Sequence, residues 1–154
     1  MKILAIDPST TSCGWATFRD GQIIGKAVIK ATGKDPFVRA EYMANALHFV
    51  MCSEQPTYII CEYPHKGGPG MKSKSITILF HLCGMIHGIA KFSHLHIEFV
   101  EPMNWKGNIP KDIHQKRNIP KIKEKYGIDI SGESGDTIDA ILLGDWFVDK
   151  ITSS

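Results

Sequence analysis

The order of strand-like and helix-like segments constrains this fold more than any other feature of the sequence. Residues 2–7, 14–19 and 22–29 are short, largely apolar runs typical of strands. Asp20-Gly21, between the second and third runs, is a strong signal for a two-residue hairpin turn. The sequence therefore predicts that the chain begins with three antiparallel strands.

Helices and strands alternate in the rest of the chain. Apolar residues recur at helical spacing in residues 36–55, 73–92, 112–126 and 133–151, and short apolar runs at 57–61 and 95–100 predict two further strands. This order predicts one α/β domain, residues 1–154, around a five-stranded mixed sheet. The second strand already occupies one edge of the first, and right-handed crossover favours placing the fourth strand at the other edge. This predicts the strand order 3-2-1-4-5.

The charge of the chain is unevenly distributed. The net charge is only +2, but residues 63–126 contain eleven Lys or Arg against four Asp or Glu. A basic segment of this kind suits a polyanionic partner such as nucleic acid, although a charge run is also common on a solvated face. The acidic remainder contains the carboxylates that the strand pattern places at strand ends.

The N-terminal residues and the cysteines bear on the cellular location. Cys13, Cys52, Cys61 and Cys83 are widely spaced and form no Cys-x-x-Cys pair, so we expect reduced, buried thiols and no zinc site. The start of the chain has no pattern of a signal peptide. The apolar stretch at 76–92 is interrupted by histidines and glycines, which predicts no membrane span and a cytoplasmic protein.

Two acidic residues follow predicted buried strands directly. Asp7 ends the first strand, and Glu62 comes directly after Tyr58-Ile-Ile-Cys. The carboxyl ends of adjacent parallel strands meet at one edge of a sheet, where open α/β sheets usually bind ligands. For Asp7 alone, a loop-capping role is an equal alternative. Glu62 is harder to explain structurally, because a charge leaving a buried strand requires a partner.

A second acidic pair lies at the start of the last predicted helix. Asp136 and Asp139 are three residues apart, so their side chains project from the same helix face. An acid in the first turn also complements the helix dipole, which suffices for Asp136 but explains Asp139 less well. Carboxylates from separate elements are the hard oxygen ligands that Mg²⁺ or Mn²⁺ requires.

Three segments together resemble the motifs of RuvC-type Holliday-junction resolvases, in order and in spacing. They are Ile3–Trp15, which contains Asp7, Ile59-Ile-Cys-Glu62, and Asp136-Thr-Ile-Asp139-Ala140. The resemblance implies a ribonuclease H-like fold and a compact, bacteriophage-type member in a bacterial or phage-infected cell. It also implies that the four acids are catalytic and bind two Mg²⁺ ions, or Mn²⁺ in their place. A homodimer would then nick two opposed strands of a four-way junction.

The basic residues near these motifs are candidates for DNA contacts. Lys66, Lys72 and Lys74 flank a glycine-rich segment after Glu62, and a solvated loop is the alternative. A family wedge residue has no clear counterpart, since only Tyr63 and His65 are near. Lys106 and Lys116 match the family lysines best by position. They belong to a second basic region, which also contains Lys111, Arg117, Lys121, Lys123 and Lys125.

Gly84 and Gly88, four residues apart on the helix 73–92, predict a flat ridge that permits close approach of another element. Packing against the protein's own sheet is one interpretation. The resemblance favours the other, because this helix is similar to the one that RuvC-type dimers bring together.

Three other functions remain open on the sequence alone. Asp7-Pro-Ser-Thr-Thr also resembles the first phosphate loop of actin-like and sugar-kinase domains, although that architecture needs two such domains. A ribonuclease H-like nuclease for flaps or RNA/DNA hybrids fits the same residues, and so does a junction-binding protein without catalysis. Retention of all four acids argues against the last.

Overall fold

The computed structural model of the chain describes residues 1–65 and 73–154. Within them lies one five-stranded sheet in the order β3-β2-β1-β4-β5, as predicted. The strands are β1 (Lys2–Asp7), β2 (Ser12–Arg19), β3 (Gln22–Lys30), β4 (Tyr58–Glu62) and β5 (His96–Val100). The first three strands are antiparallel, and β4 and β5 run parallel to β1. The predicted turn joins β2 to β3, where Asp20 and Gly21 both have positive φ.

Five helices accompany the sheet in the described residues. They are α1 (Pro36–Glu54), α2 (Ser73–Phe92), α3 (Pro102–Trp105), α4 (Lys111–Tyr126) and α5 (Gly135–Thr152). The short helix α3 was not predicted, because a single turn is too short for helical periodicity. Helix α5 begins two residues later than predicted, since Ser134 is the N-cap and its Oγ accepts a hydrogen bond from the Thr137 amide.

Each face of the sheet contributes to a separate core. Ile3, Ala5 and Ile60 point towards α5, and together they form one buried cluster. Leu4 and Ile59 point to the opposite face, which α1 and α2 cover. Successive strand residues alternate between these faces, so Asp7 and Glu62 lie on the α5 side with the residues two positions before them.

The cysteines and the apolar helix differ in part from expectation. All four thiols are free, but Cys52 is exposed, whereas Cys13, Cys61 and Cys83 are buried. The stretch from Lys74 to Phe92 is long and apolar enough to cross a membrane by length and composition, so the prediction that its interruptions exclude this was wrong. One side of α2 packs into the core beside α1, and core helices of soluble proteins share these properties.

Candidate active site

Asp7 and Glu62 lie side by side at the carboxyl-terminal edge of the sheet. Ile6 pairs with Cys61 in the parallel ladder between β1 and β4, which places the next residue of each strand at adjacent positions. Both carboxylates are largely covered, with 14% and 15% of the side chain exposed. The predicted meeting of the two strand-end acids is therefore present in the structure.

The first turn of α5 brings Asp136 and Asp139 to the same edge. Its backbone lies directly on β2 at Gly14, which pairs with Asp7 across the ladder. A Cβ atom at Gly14 would overlap the carbonyl group of Asp136 and lie 2.6 Å from the Thr137 nitrogen. Only glycine permits this approach, so the Gly14 position determines how close the helix acids come to the strand acids.

A lysine ammonium group lies among three of the four carboxylates. Lys111 Nζ, at the first residue of α4, is 3.0 Å from Asp136 Oδ1 and 3.0 Å from Asp139 Oδ2. The same atom is 3.7 Å from Asp7 Oδ2. Lys111 was predicted to contact DNA, whereas in the structure its ammonium group lies against the acids.

Glu62 is held by two neighbouring residues that follow β5. Lys106 Nζ is 3.2 Å from Glu62 Oε2 and 3.9 Å from Asp139 Oδ2. Trp105 Nε1 donates a hydrogen bond of 2.8 Å to the same Glu62 oxygen. Lys106, also predicted to contact DNA, is thus paired within the cluster, and its side chain is only 14% exposed.

Asp139 is the most buried acid of the cluster, with 3% of its side chain exposed. Gln115 Nε2, on α4, donates to Asp139 Oδ1 at 2.8 Å and is also 2.8 Å from the Gly135 carbonyl oxygen. Sequence reasoning missed the roles of Gln115 and Trp105. The spacing of Lys111 and Gln115, four residues apart on one helix, was the available signal for the first.

Crowding of like charges changes the ionisation of this cluster. Burial, the carboxylate of Glu62 and then the two helix acids raise the pKa of Asp7 well above its ordinary value, although Lys111 opposes this shift. Burial lowers the pKa of Lys111, but the surrounding acids, Asp7 first, outweigh it and raise that pKa overall. An unpaired negative charge is therefore unfavourable in this cluster, and a neighbouring cation such as the Lys111 ammonium group offsets it.

The chemistry of these four side chains suits divalent ions. Carboxylate oxygens are the preferred ligands of Mg²⁺ and Mn²⁺, and two ammonium groups already lie where cations are attracted. In residues 1–65 and 73–154, no three His, Cys, Asp or Glu side chains are arranged to hold a metal ion as they stand. Lys111 Nζ lies close to oxygens of Asp7, Asp136 and Asp139, so an ion held by these three acids would take its place.

The other predicted DNA-binding residues lie apart from the carboxylate cluster or outside the described residues. Tyr63 packs edge-on against Phe80 and Phe99, with ring centroids 5.0 and 5.4 Å away. His65 is 54% exposed, and its Nδ1 lies 3.6 Å from Glu101 Oε2. Two more candidates, Lys74 and Lys116, are exposed on α2 and α4, whereas Lys66 and Lys72 lie outside the described residues.

No protein-family model and no curated protein matches the chain. Thermus thermophilus RuvC in complex with a Holliday junction substrate superimposes with a TM-score of 0.82 at 13% sequence identity, covering 100% of this chain and 96% of that one. The chain has the RuvC fold. This confirms the predicted ribonuclease H-like architecture.

One viral and one mitochondrial structure share this RuvC fold. Fowlpox virus resolvase, in a complex with substrate Holliday junction DNA, matches with a TM-score of 0.69 at 17% identity, covering 98% of this chain and 99% of that one. The yeast mitochondrial Holliday junction resolvase matches with a TM-score of 0.63 at 12% identity, covering 94% of this chain and 76% of that one.

Proposed function

We propose that this chain is a structure-selective endodeoxyribonuclease that resolves four-way DNA junctions. The observation that supports this function most is the convergence of Asp7, Glu62, Asp136 and Asp139 at one edge of a RuvC fold. Thermus RuvC and fowlpox virus resolvase, whose structures contain Holliday junction DNA, share that fold. The four acids are the catalytic and metal-binding residues of this proposal.

Two Mg²⁺ ions, or Mn²⁺ in their place, would supply an activated water and neutralise charge on the leaving 3′-oxygen, giving 5′-phosphate ends. The protein's own residues hold and orient the ligands. Trp105 donates to Glu62, and Gln115 donates to Asp139, so both carboxylates have a fixed rotamer before an ion arrives.

The proposed DNA surface combines exposed lysines with residues that lie close to Glu62 along the chain. Exposed Lys74 and Lys116 are suited to phosphate contacts, and Lys66 and Lys72 are candidates by charge. Tyr63 and His65 lie one and three residues after Glu62, and this closeness along the chain supports their contact with a DNA strand bound at the acids. These six residues, together with Lys106 and Lys111, are the ones that we expect to contact DNA.

The test of this function is a comparison of substrates. A labelled four-way junction, a flap, a linear duplex and an RNA/DNA hybrid are incubated with the protein and Mg²⁺, and the ends are mapped. We expect paired, symmetric nicks in the junction with 5′-phosphates, and little cutting of duplex. Preference for flaps or hybrids would instead assign another ribonuclease H-like nuclease, and tight junction binding without cutting would assign a non-catalytic binding protein.

We further propose that the enzyme is a homodimer joined along α2. A Cβ atom at Gly84 or Gly88 would meet no other described atom within 4 Å, so neither glycine is needed for packing against the protein's own sheet. Gly84 is exposed and Gly88 half-buried, so this ridge is available to a second copy, and two active sites suit two opposed incisions.

Replacing Gly84 by leucine is expected to convert the dimer to a monomer, because the larger side chain prevents close helix approach. Sedimentation velocity at micromolar concentration measures this change. Gly132→Leu is the matched control, since a Cβ there also meets nothing within 4 Å but lies away from α2. A parent protein that sediments as a monomer, alone and on the junction, would contradict the proposed dimer.

A further inference from the structure

The two lysines in the carboxylate cluster differ in how firmly they are held. The Lys106 side chain is 14% exposed, contacts Glu62, and lies 4.9 Å from the centroid of the Trp105 ring. The Lys111 side chain is 45% exposed, although its ammonium group reaches three acids. Lys111 can therefore turn towards solvent without disturbing the core, whereas Lys106 is enclosed.

Lys111 also forms ion pairs with the carboxylate oxygens that would bind a divalent ion. Its ammonium nitrogen is at hydrogen-bond distance from one oxygen each of Asp136 and Asp139, and Asp7 is the next nearest acid. The Lys111 ammonium group fills the space between these three carboxylates. An ion bound by the same carboxylates cannot occupy that space at the same time. Two cations at that separation would also repel each other strongly in a site with little solvent.

We propose that Lys111 is an exchangeable internal cation, which leaves the carboxylates when a divalent ion binds and then pairs with a DNA phosphate. This inference rests on the proposed function. The released ammonium group requires a new anionic partner near the site, and a substrate phosphate has the appropriate charge. Because binding free energies are reciprocal, a phosphate that attracts Lys111 also strengthens ion binding by the vacated acids.

The exchange gives the nuclease a means of coupling its cofactor to its substrate. Without DNA, Lys111 competes with the ion and lowers its apparent affinity. With DNA, the same residue contributes to substrate binding and no longer competes. Lys106 is enclosed beside Glu62 and takes no part in this exchange, so the two lysines have different roles despite their similar surroundings.

Mn²⁺ binding to the DNA-free protein tests the competition directly. Isothermal titration calorimetry is performed on the full chain at mildly alkaline pH, so that protons compete little for the carboxylates. Lys111→Met keeps the length of the side chain and removes its charge, and we expect Mn²⁺ affinity to rise about tenfold, equivalent to about 1.4 kcal/mol. With Mn²⁺ present, and measured before cleavage proceeds, the same variant is expected to bind the four-way junction more weakly than the parent, because it lacks the released ammonium group.

Lys116→Met is the matched control, because Lys116 is on the same helix but exposed and outside the carboxylate cluster. An equal rise in Mn²⁺ affinity for both variants would show a general charge effect and overturn the exchange. Unchanged or weaker affinity in folded Lys111→Met would also overturn it. If Lys111→Met does not fold, Lys111→Arg decides, since a bidentate guanidinium should hold the acids more firmly and weaken Mn²⁺ binding.

The result separates this inference from the proposed function. Absence of Mn²⁺ binding by the parent and by Lys111→Met would reject the metal site itself. Binding of Mn²⁺ with the same affinity by both proteins would reject only the exchange, and junction cleavage would still stand.

Discussion

Replacing Asp7 by asparagine is expected to lower the rate of junction cleavage by more than about 100-fold, since loss of an outer-shell partner alone typically costs 10–100-fold. The substitution keeps the shape of the side chain and removes one carboxylate from the proposed metal site. Junction binding is expected to survive, and to strengthen in EDTA, because four clustered acids repel phosphate. Single-turnover cleavage and equilibrium binding measure the two effects separately.

Glu62→Gln and Asp139→Asn should behave as Asp7→Asn does, because each removes a charge from the same cluster. The control is Glu101→Gln, an acid close to Glu62 in sequence but 52% exposed and paired only with His65 among the described ion pairs. It is expected to remain active. Cleavage by Asp7→Asn at the parent rate would disprove the carboxylate mechanism.

Asp7→Asn is also expected to stabilise the metal-free protein at neutral pH. Aspartate in an unfolded chain has a pKa of about 3.9, whereas burial and Glu62 raise the pKa of folded Asp7 well above its ordinary value. Between these two values the folded state binds the extra proton, so the free energy of unfolding falls as pH rises. Asparagine removes this dependence, and thermal melts in EDTA at several pH values should show the flatter profile.

Gly14→Ala is expected to cause the largest loss of stability among single-methyl additions near the site. The new Cβ would overlap the Asp136 carbonyl, and rigid backbone at the start of α5 would have to move. Overpacking of a core costs about 1–3 kcal/mol, and occasionally more, so we expect at least about 3 kcal/mol here. For a chain of this size, that lowers Tm by roughly 6–12 °C.

Cleavage by Gly14→Ala should fall as well, even at temperatures where the variant is folded, because the shift carries Asp136 and Asp139 away from the strand acids. Gly25→Ala, on the neighbouring strand β3, is the matched control. Its Cβ would come no closer than 3.4 Å to Thr17 Oγ1, which is ordinary contact. Equal melting temperatures for the two variants would show that α5 does not depend on Gly14 for its position.

The sequence by itself determined the elements and the order in which they assemble. The Asp20-Gly21 turn, the strand ending at Asp7 and the periodicity of the long helices are local signals, and the structure has them where expected, within one or two residues. Strand order followed because crossover handedness and the occupied edge of β1 left few arrangements. The four acids were recognisable for the same reason, since each lies at a fixed place in its own element.

Only the tertiary structure decided which partner each polar side chain has. A lysine has the same charge whether it faces a phosphate or a carboxylate, so the sequence could not show that Lys106 and Lys111 turn inward to the acids. The hydrogen bonds from Trp105 and Gln115 join residues more than 20 positions from their acceptors, Glu62 and Asp139. Such contacts depend on how α3, α4 and α5 pack against the sheet, and no local sequence pattern encodes that packing.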